Sequence, residues 1–311
     1  MRHPNRFFLA LAAVTGFNML AVAPSIAAKM PSVPAQPKPA AIVDVVQYPA
    51  WLDRDGRARP LAVGMELRHG DVIRTGEGAR AYVTLAEGSR VKLAESAQLT
   101  LHSRSLKPAV NFRGALDLAN GAFRVTTKLL SKYKKRELTL RVGTATIGIR
   151  GTDLWGKAEP AADFVALLEG RIDVTRAGQT DTLTPMTFIL APRGQASEVR
   201  ALDPAAFPQM ARQTEIMAGD GAANSKGKWR VLAGVVDSED LAFELYDQLN
   251  EQGFAARIRP VAGLQEPGWP WWNYEVQLLG FPTEADAKLA AMRLKAKTGI
   301  DAKGIMKVGK R

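Results

Sequence analysis

The chain has 311 residues, no cysteine, three histidines and a formal net charge of +11 at pH 7. Without cysteine, disulfides, thiolate metal sites and cysteine nucleophiles are excluded. Three histidines, one of them in the extreme N-terminal segment, make a histidine triad or a multi-histidine metal centre difficult to build. We therefore expect a protein that is not an enzyme and that holds no metal and no cofactor.

The N-terminal residues have the pattern of a cleavable export signal. The basic stretch MRHPNR leads into an apolar run over residues 7–17, and Ser25 and Ala27 supply the small residues of a signal-peptidase site. An uncleaved membrane anchor is the alternative, but Gly16 and Pro24 interrupt the apolar stretch. We predict a signal peptide over residues 1–27, a periplasmic location and no membrane span after cleavage.

The excess of Lys and Arg would suggest nucleic acid as the partner of a cytoplasmic protein. An exported chain meets anionic lipid or acidic wall polymers instead, and a solvated basic surface also explains the charge. We therefore expect no nucleic-acid partner.

A Pro/Ala-rich spacer over residues 28–41 precedes a predicted all-β domain over residues 42–201, here named the β domain. Short apolar runs with period-two alternation, such as residues 81–85 and 171–175, are separated by Gly, Asp and Asn turns. The segment that follows, residues 202–228, is rich in Pro, Gly and Ala. We name it the connecting segment and predict a second linker with at most one short helix.

The stretch GTATIGIRGTDLW, residues 143–155, raises the question of a phosphate-binding loop. Such a loop needs a following helix and usually a Lys-Ser/Thr pair, and neither is present. The stretch also mimics the backbone clamp of KH nucleic-acid domains, but that clamp joins two helices, and both flanks here have extended patterns. Alternation instead predicts a strand with Ile147 and Ile149 buried and with Gly148 and Arg150 on the other face.

Residues 229–311, here named the C-terminal module, contain an internal repeat offset by 45 positions. Each half has the pattern strand, helix, strand, so the order βαββαβ follows, which is that of an α+β ferredoxin-like fold. The predicted protein is therefore multidomain, with an all-β domain followed by an α+β module. The aligned pairs are Trp229 with Tyr274, Val231 with Val276, Ser238 with Thr283, Glu239 with Glu284, Ala242 with Ala287 and Leu249 with Leu294.

Capping signals set the limits of the two predicted helices. The first begins after Ser238 and ends at Gly253, and the second begins after Thr283 and ends at Gly299. A period of 3.6 residues predicts a buried face on each helix. The predicted buried residues are Leu241, Leu245 and Leu249 on the first helix, and Ala287, Ala290, Ala291 and Leu294 on the second.

The β domain resembles the FecR domain from Tyr48 to Trp155. Several Gly-Asp, Arg-Thr-Gly and Gly-Ser motifs carry the resemblance, and they suit turns that need positive φ or bonds from side chain to backbone. The resemblance implies an all-β domain that serves protein interaction or positioning. The motifs are Gly70-Asp71, Arg74-Thr75-Gly76, Gly88-Ser89 and Gly148-Ile-Arg-Gly-Thr152.

The C-terminal module resembles the SPOR domain, most closely in the stretch NYEVQLLGFPTEADAKLAAMRL. The resemblance covers Trp229 to about Val308 and implies a fold that binds peptidoglycan glycan strands stripped of stem peptides. Family members commonly carry Gln in the first strand where this chain has Leu232, so the usual polar contact there is missing. The predicted glycan site lies on the helix-free face of the sheet and its adjoining loop, and comprises Arg230, Leu232, Arg257, Arg259, Glu275, Gln277, Trp269, Trp271 and Trp272.

These observations leave alternative functions open. In the first, a non-enzymatic envelope protein binds denuded peptidoglycan through the C-terminal module and uses the β domain for protein contacts. In the second, the chain is a FecR-type envelope sensor or signalling component without peptidoglycan binding. Members of that family that hold a sigma factor do so through a segment ahead of a membrane helix, and only six residues precede the apolar run here.

An enzyme that acts on wall polymer is a third hypothesis. It would need a placed pair of acid and base groups. Carboxylates such as Asp153, Asp163 and Glu169 are present, but solvated strand-edge carboxylates explain them without any catalytic role.

If the signal is cleaved, the mature protein begins near Ala28 and is recovered from the soluble periplasmic fraction. N-terminal sequencing of protein purified from that fraction measures this directly. A sequence that starts at Met1 or Arg2, obtained from membrane-bound material, would contradict the prediction.

Overall fold

The structure is a computed structural model that describes residues 39–103, 111–127, 135–149, 151–262 and 272–308. The predicted signal peptide and most of the predicted spacer lie outside the described residues, as do Arg150, Trp269 and Trp271. Residues Lys38–Arg311 form one compact unit.

Short strands dominate the described chain up to residue 201. They are β1 (Ala41–Gln47), β2 (Ala50–Arg54), β3 (Arg57–Pro60), β4 (Glu66–Leu67), β5 (Val72–Thr75), β6 (Arg80–Leu85), β7 (Arg90–Leu93), β8 (Gln98–Ser103), β9 (Asn111–Thr126), β10 (Lys135–Val142), β11 (Ala145–Ile149), β12 (Asp153–Ala158), β13 (Ala162–Glu169), β14 (Ile172–Arg176), β15 (Gln179–Leu183), β16 (Thr187–Pro192) and β17 (Glu198–Ala201).

Helices and strands alternate in the rest of the chain. The elements are a 3-10 turn (Pro204–Ala206), α1 (Phe207–Thr214), β18 (Ala222–Asn224), β19 (Trp229–Val236), α2 (Glu239–Glu251), β20 (Arg257–Ala262), β21 (Trp272–Phe281), α3 (Glu284–Thr298) and β22 (Gly304–Lys307).

Strands β1 to β18 form two sheets that share β9. The first sheet has the order β18-β1-β6-β7-β9-β12-β13-β16-β17, with β4 also paired to β1. The second sheet has the order β3-β2-β5-β8-β9-β10-β11-β14-β15. Among these pairs β9 and β10 run parallel and the others run antiparallel. The predicted all-β architecture of the β domain is confirmed, and the inner faces of both sheets form its core.

Strand β9 is long enough to belong to both sheets. Residues 114–120 pair with β8 in the second sheet, and residues 121–126 pair with β12 in the first. The strand changes sheet at Gly121, whose φ of +87° is a conformation that residues with a side chain rarely adopt. A Cβ at this position would lie 2.5 Å from the Cα of Ala97. Both conditions require glycine at this corner.

The strand predicted from the stretch GTATIGIRG is β11, and its described residues have the predicted faces. Ala145, Ile147 and Ile149 are buried in the core, and Gly148 is exposed. Strand β11 pairs with β10 and β14, so its apolar face is part of the inner face of the second sheet. The predicted orientation of Arg150 falls outside the described residues.

The C-terminal module has the predicted order of elements, and its strands form one antiparallel sheet in the order β20-β21-β19-β22. The predicted helix limits are also confirmed. The side chain of Ser238 accepts a hydrogen bond from Leu241 N–H at the start of α2, and that of Thr283 accepts one from Asp286 N–H at the start of α3. Gly299 ends α3 with a φ of +75°.

The buried face of α2 differs from the prediction at one position. Leu249 is buried and Leu245 is half-buried, but Leu241 is 47% exposed and Ala242 is buried in its place. The side of α2 that faces β19 is the stripe of Ala242, Leu245 and Leu249, at i, i+3 and i+7. The approach is close there, since a Cβ on Gly234 would lie 2.4 Å from the Leu245 side chain. On α3 the predicted Ala287, Ala290 and Leu294 are buried, and Ala291 is partly buried.

The connecting segment, predicted as a linker over residues 202–228 with at most one short helix, does contain one α-helix, but it is packed and also includes a strand, which corrects the prediction. It contains α1 and β18, and β18 joins the first sheet beside β1, with Ala223 opposite Val46. Its glycine-rich composition misled the prediction, because a strand of three residues is too short to show alternation. Its pairing partner is also distant in sequence.

Helix α1 lies against the outer face of the first sheet. Met210 and Leu202 belong to a small apolar cluster there with Trp155. Just after the helix, the carboxylate of Glu215 accepts hydrogen bonds from Lys92 Nζ at 2.6 Å and from Arg124 Nη1 at 3.1 Å. Apolar and ionic contacts together therefore hold the connecting segment on the sheet.

One apolar core runs from the β domain into the C-terminal module. The same buried cluster includes Val46 and Leu52 of the β domain and Phe254, Phe281 and Leu294 of the module. The predicted multidomain organisation, with a linker between two domains, implies two separate cores. The described residues instead share one main core, because β1 and the loop after β1 contact elements of both parts.

An ion pair with a buried carboxylate joins the turn between β10 and β11 to the first sheet. The Asp163 side chain is 1% exposed, and its carboxylate accepts hydrogen bonds from Arg193 at 2.6 and 2.8 Å. It also accepts one from Thr144 N–H at 2.9 Å. The sequence interpretation of Asp163 as a solvated carboxylate is therefore wrong. Asp153 likewise forms an ion pair, with Arg124 at 2.7 Å.

Replacing Ile149 with Asp should unfold the β domain, because the new carboxylate would be buried in the apolar core without a partner. We expect the free energy of unfolding to fall by roughly 4 kcal/mol or more. The matched control is Gly148→Ser on the exposed face of the same strand, where a Cβ meets open space. Urea denaturation of both variants measures the difference, and equal stability would contradict the assigned faces.

Gly143 and Gly178 form a second matched pair, since both have positive φ in turns of the second sheet. A Cβ on Gly143 would lie 2.1 Å from the Asp163 carboxylate, whereas a Cβ on Gly178 has nothing within 4 Å. We expect Gly178→Ala to lower the free energy of unfolding by about 1 kcal/mol, which is the backbone strain alone. Gly143→Ala should cost at least about 2 kcal/mol more, because it displaces the buried carboxylate. Thermal denaturation that ranks the variants in the opposite order would refute this.

Candidate functional site

The predicted glycan face can be traced through the pairing of β19, β20 and β21. Residues directly opposite each other in neighbouring strands lie on the same face of a sheet. Gln277 is opposite both Leu232 and Arg257, Glu275 is opposite Arg259, and Arg230 is opposite Leu279. The alternate residues, Val231, Ala233, Val276 and Leu278, are buried in the core with the helices. Six of the predicted site residues therefore share the face away from α2 and α3.

The polar groups at the centre of this face bond to one another. Arg230 Nη1 donates hydrogen bonds to Glu275 Oε2 at 3.0 Å and to Gln277 Oε1 at 2.7 Å. Arg230 is 8% exposed and Gln277 is 5% exposed, and Leu232 beside them is also buried. The sequence interpretation assumed that these groups are free to bond sugar hydroxyls, and the structure uses them within the sheet. Exposed donors on this face are the guanidinium groups of Arg257 and Arg259.

Of the three tryptophans of the predicted site, Trp272 lies in the described part of the chain, and it is not on this face. Trp269 and Trp271 lie outside the described residues. Trp272 is the first residue of β21 and pairs with Ala262. Alternation places its side chain on the same side as Tyr274, which is opposite to the side of Glu275. A sequence reading could not separate these positions, because the start of the strand was unknown.

Sequence analysis missed the contacts that dock the C-terminal module on the β domain. The loop after α2 reaches β2, where Ala50 N–H donates to Gly253 O at 3.0 Å and Trp51 Nε1 donates to Glu251 O at 3.1 Å. Tyr48 and Phe254 are adjacent and buried, with ring centroids 5.9 Å apart. In the sequence these two residues are simply apolar residues beside turns, and that pattern does not indicate which residue each one contacts.

The connecting segment forms the second half of this docking interface. The carboxylate of Asp286, in the first turn of α3, accepts hydrogen bonds from Gly219 N–H at 2.9 Å and Gly221 N–H at 3.0 Å. The carbonyl of Asp220 accepts from Gln47 Nε2 at 2.6 Å and from Arg293 Nη1 at 3.0 Å. One short stretch therefore bonds β1 and α3 at the same time.

Residues 71–173 match the FecR protein family. The matched segment runs from just before β5 to the start of β14, and it includes β11. The FecR resemblance noted from sequence is therefore confirmed where it overlaps this match, from residue 71 to Trp155. The match ends well before Trp229, so the SPOR resemblance of the C-terminal module stays a prediction. No curated protein sequence matches the chain.

Two crystal structures of an anti-sigma factor candidate from Parabacteroides distasonis ATCC 8503 are similar to this chain. Both are 12% identical in sequence, and the alignments cover 76% and 77% of this chain and 99% of the other. Their TM-scores are 0.38 and 0.39. Because these scores are low, no inference about fold or function rests on the likeness.

The described part of the chain lacks two further kinds of functional feature. None of its helices combines the length and the apolar character needed to cross a membrane. In the same ranges, no group of three or more His, Asp or Glu side chains is placed to hold a metal ion.

The docking interface should make stability depend on alkaline pH through Tyr48. Burial raises the pKa of Tyr48 well above its ordinary value, and nearby Arg257 lowers it by less. The native state therefore keeps the phenol proton at a pH where the unfolded chain, with a pKa of about 10, loses it. Stability from this group is complete below about pH 10 and is lost as the pH rises further.

Tyr48→Phe should reduce the loss of stability at alkaline pH and should change stability little at neutral pH. The contrast is Tyr82→Phe: burial also raises the pKa of Tyr82, but its hydroxyl accepts a hydrogen bond from Ile216 N–H and contacts Glu215. That variant should be less stable at neutral pH as well. Urea denaturation at about pH 8 and about pH 10.5 distinguishes the two. An unchanged alkaline slope for Tyr48→Phe would contradict the assignment.

Proposed function

We propose that this chain is an exported, non-enzymatic sensor or signalling component of the cell envelope that binds a protein partner through its FecR domain. The match of residues 71–173 to the FecR family supports the domain assignment. The signal pattern over residues 1–27 supports export to the periplasm. The proposal follows the second of the hypotheses raised by the sequence.

The observation that carries the proposal is the exposed outer face of the second sheet. The outer face of the first sheet carries α1, whereas Gly148, Asp173 and Thr175 on the outer face of the second are exposed. In the described ranges, no helix lies on β11 and β14, the strands that carry these residues, whereas α2 contacts β3 at the other edge of the same sheet. The exposed face formed by β11, which lies within the family match, and by β14, which begins within it, offers a docking surface for another protein.

The shared core favours a signalling role for the whole chain. It does not favour two binding modules that move independently on a flexible linker. Because β18 pairs with β1 and Asp286 bonds the connecting segment, the C-terminal module cannot swing freely on a flexible linker. The β domain and the C-terminal module therefore present their surfaces to a bound partner in a fixed relative position. We assign the C-terminal module the role of a rigid extension of the FecR domain.

Binding of denuded glycan strands by a ferredoxin-like, SPOR-type C-terminal module is the second candidate function. The observation in its favour is the face that collects Arg257, Arg259 and Gln277. It ranks second because Arg230, Glu275 and Gln277 are bonded to one another, and a ligand would have to replace those bonds. In both candidates the protein acts by binding and not by catalysis.

Photo-crosslinking in the native host distinguishes the two candidates. A photoreactive residue at exposed Thr175 should give one protein adduct of defined size, and the same residue at Lys288 on α3 should give none. In parallel, the mature chain should not sediment with amidase-treated sacculi. The proposal fails if Thr175 gives no adduct.

The sacculus assay has its own matched variants. Arg259→Glu reverses an exposed charge on the candidate glycan face, and Lys288→Glu reverses one on the helix side of the same module; the two side chains are 55% and 62% exposed. If the chain sediments with the sacculi and only Arg259→Glu abolishes this, the glycan-binding candidate replaces the proposal. If neither variant changes sedimentation, that candidate is rejected for this face.

A further inference from the structure

A cleft of about 390 Å³ lies on the outer face of the second sheet, where β8, β9 and β10 are neighbours. Residues 114–116 of β9 form its floor, and its sides carry histidine and charged side chains. The volume is at the lower end of the range of small-molecule sites, about 300–1,000 Å³. The described residues that line it all belong to the β domain, so it is separate from the predicted glycan face.

Two histidines form one side of the cleft. The rings of His69 and His102 have centroids 5.5 Å apart at an angle of 58°. His69 Nδ1 accepts a hydrogen bond from Ser103 N–H at 3.3 Å. A nitrogen that accepts carries no proton, so the neutral ring of His69 has its proton on Nε2 and can donate it to a ligand. The His102 ring has no hydrogen-bond partner among the described residues.

Charged residues of β9 and β10 form the opposite side. Arg113 and Glu137 are opposite each other and form an ion pair at 2.7 Å. Asp117 and Arg141 are also opposite each other, but within the described ranges neither has an ion-pair or hydrogen-bond partner. With two positive and two negative groups, the formal charge of the cleft is zero when the histidines are neutral. A charged ligand would meet one attracting and one repelling unpaired charge, Arg141 and Asp117, whereas a neutral ligand meets no charge repulsion.

The cleft therefore combines unpaired donors and unpaired acceptors in a neutral setting. Asp117 accepts, Arg141 donates, and the hydroxyl of Thr139 does both. A sugar hydroxyl also donates and accepts, and the apolar face of a sugar ring suits contact with imidazole rings and with the small Ala115. Neutral, polyhydroxylated ligands match this chemistry better than ions do.

We propose that the cleft bordered by His69, His102, Asp117 and Arg141 binds a neutral sugar of one or two rings. Asp117 and Arg141 hold the hydroxyl groups, and the two imidazole rings cover one face of the sugar. Through this site a small molecule could bind directly to the FecR domain. It does not depend on the protein partner proposed above, and purified protein suffices to test it.

The histidines provide the readout, since the mature chain from Ala28 retains only His69 and His102. Imidazole signals of the ¹⁵N-labelled mature protein are followed by NMR during titration with N,N′-diacetylchitobiose and with maltose. Glucuronate and glucosamine, a ring anion and a ring cation, are the charged comparisons. We expect at least one neutral sugar to shift both histidine signals with saturation, and to bind more tightly than either charged sugar.

Matched variants test whether the neutral sugar binds in the cleft. Asp117→Asn keeps the size of the side chain, and Arg141→Gln replaces the guanidinium group with a shorter neutral amide; each should lower the affinity of the neutral sugar about tenfold. Asp173→Asn is the control, because it makes the same chemical change at an exposed position of the same sheet face, outside the cleft. Circular dichroism confirms that each variant is folded.

Three results would overturn the proposal. The first is that no neutral sugar shifts either histidine signal. The second is that glucuronate or glucosamine binds as tightly as the neutral sugars. The third is that Asp117→Asn and Arg141→Gln bind as tightly as the Asp173→Asn control.

Discussion

The corner in β9 is the constraint on which the β domain depends. Because one continuous strand belongs to both sheets, their inner faces are held against each other at a fixed place. The turn between them needs a backbone at positive φ in contact with Ala97, and Gly121 satisfies both requirements. Each sheet then has one face in the core and one face outward. The outward face of the first sheet receives α1, and that of the second presents the cleft.

The same arrangement leaves β1 available to pair with β18, and this pairing removes the hinge between the β domain and the C-terminal module. Folding of the two parts is therefore coupled, since the core residues of the module and those of the β domain belong to one buried cluster. Binding at the surface of either part acts on a single body. The proposed signalling would therefore depend on surface contacts and not on a movement of two domains relative to each other.

The polar side chains are of two kinds. Some are bonded to other groups of the fold, and others have no partner among the described residues and can bind a ligand. Asp163 is buried and bonded to Arg193, and the buried Arg230 is bonded to Glu275 and Gln277. Such groups stabilise the fold, because leaving a buried charge without a partner is costly. Asp117 and Arg141 differ, since they have no partners among the described residues and border a cleft. Residue type alone does not distinguish the two situations.

The sequence by itself determined what is local. Period-two alternation placed Ile147 and Ile149 in the core, and capping residues set the start of α2 and α3, because these signals act within a few residues of the chain. The tertiary structure alone decided which distant residues meet. Short strands such as β18 carry no periodic signal, and the pairing of Arg230 with Gln277 or of His69 with His102 depends on register across the sheets. Contacts of that kind are fixed by packing of the whole chain, which no local pattern encodes.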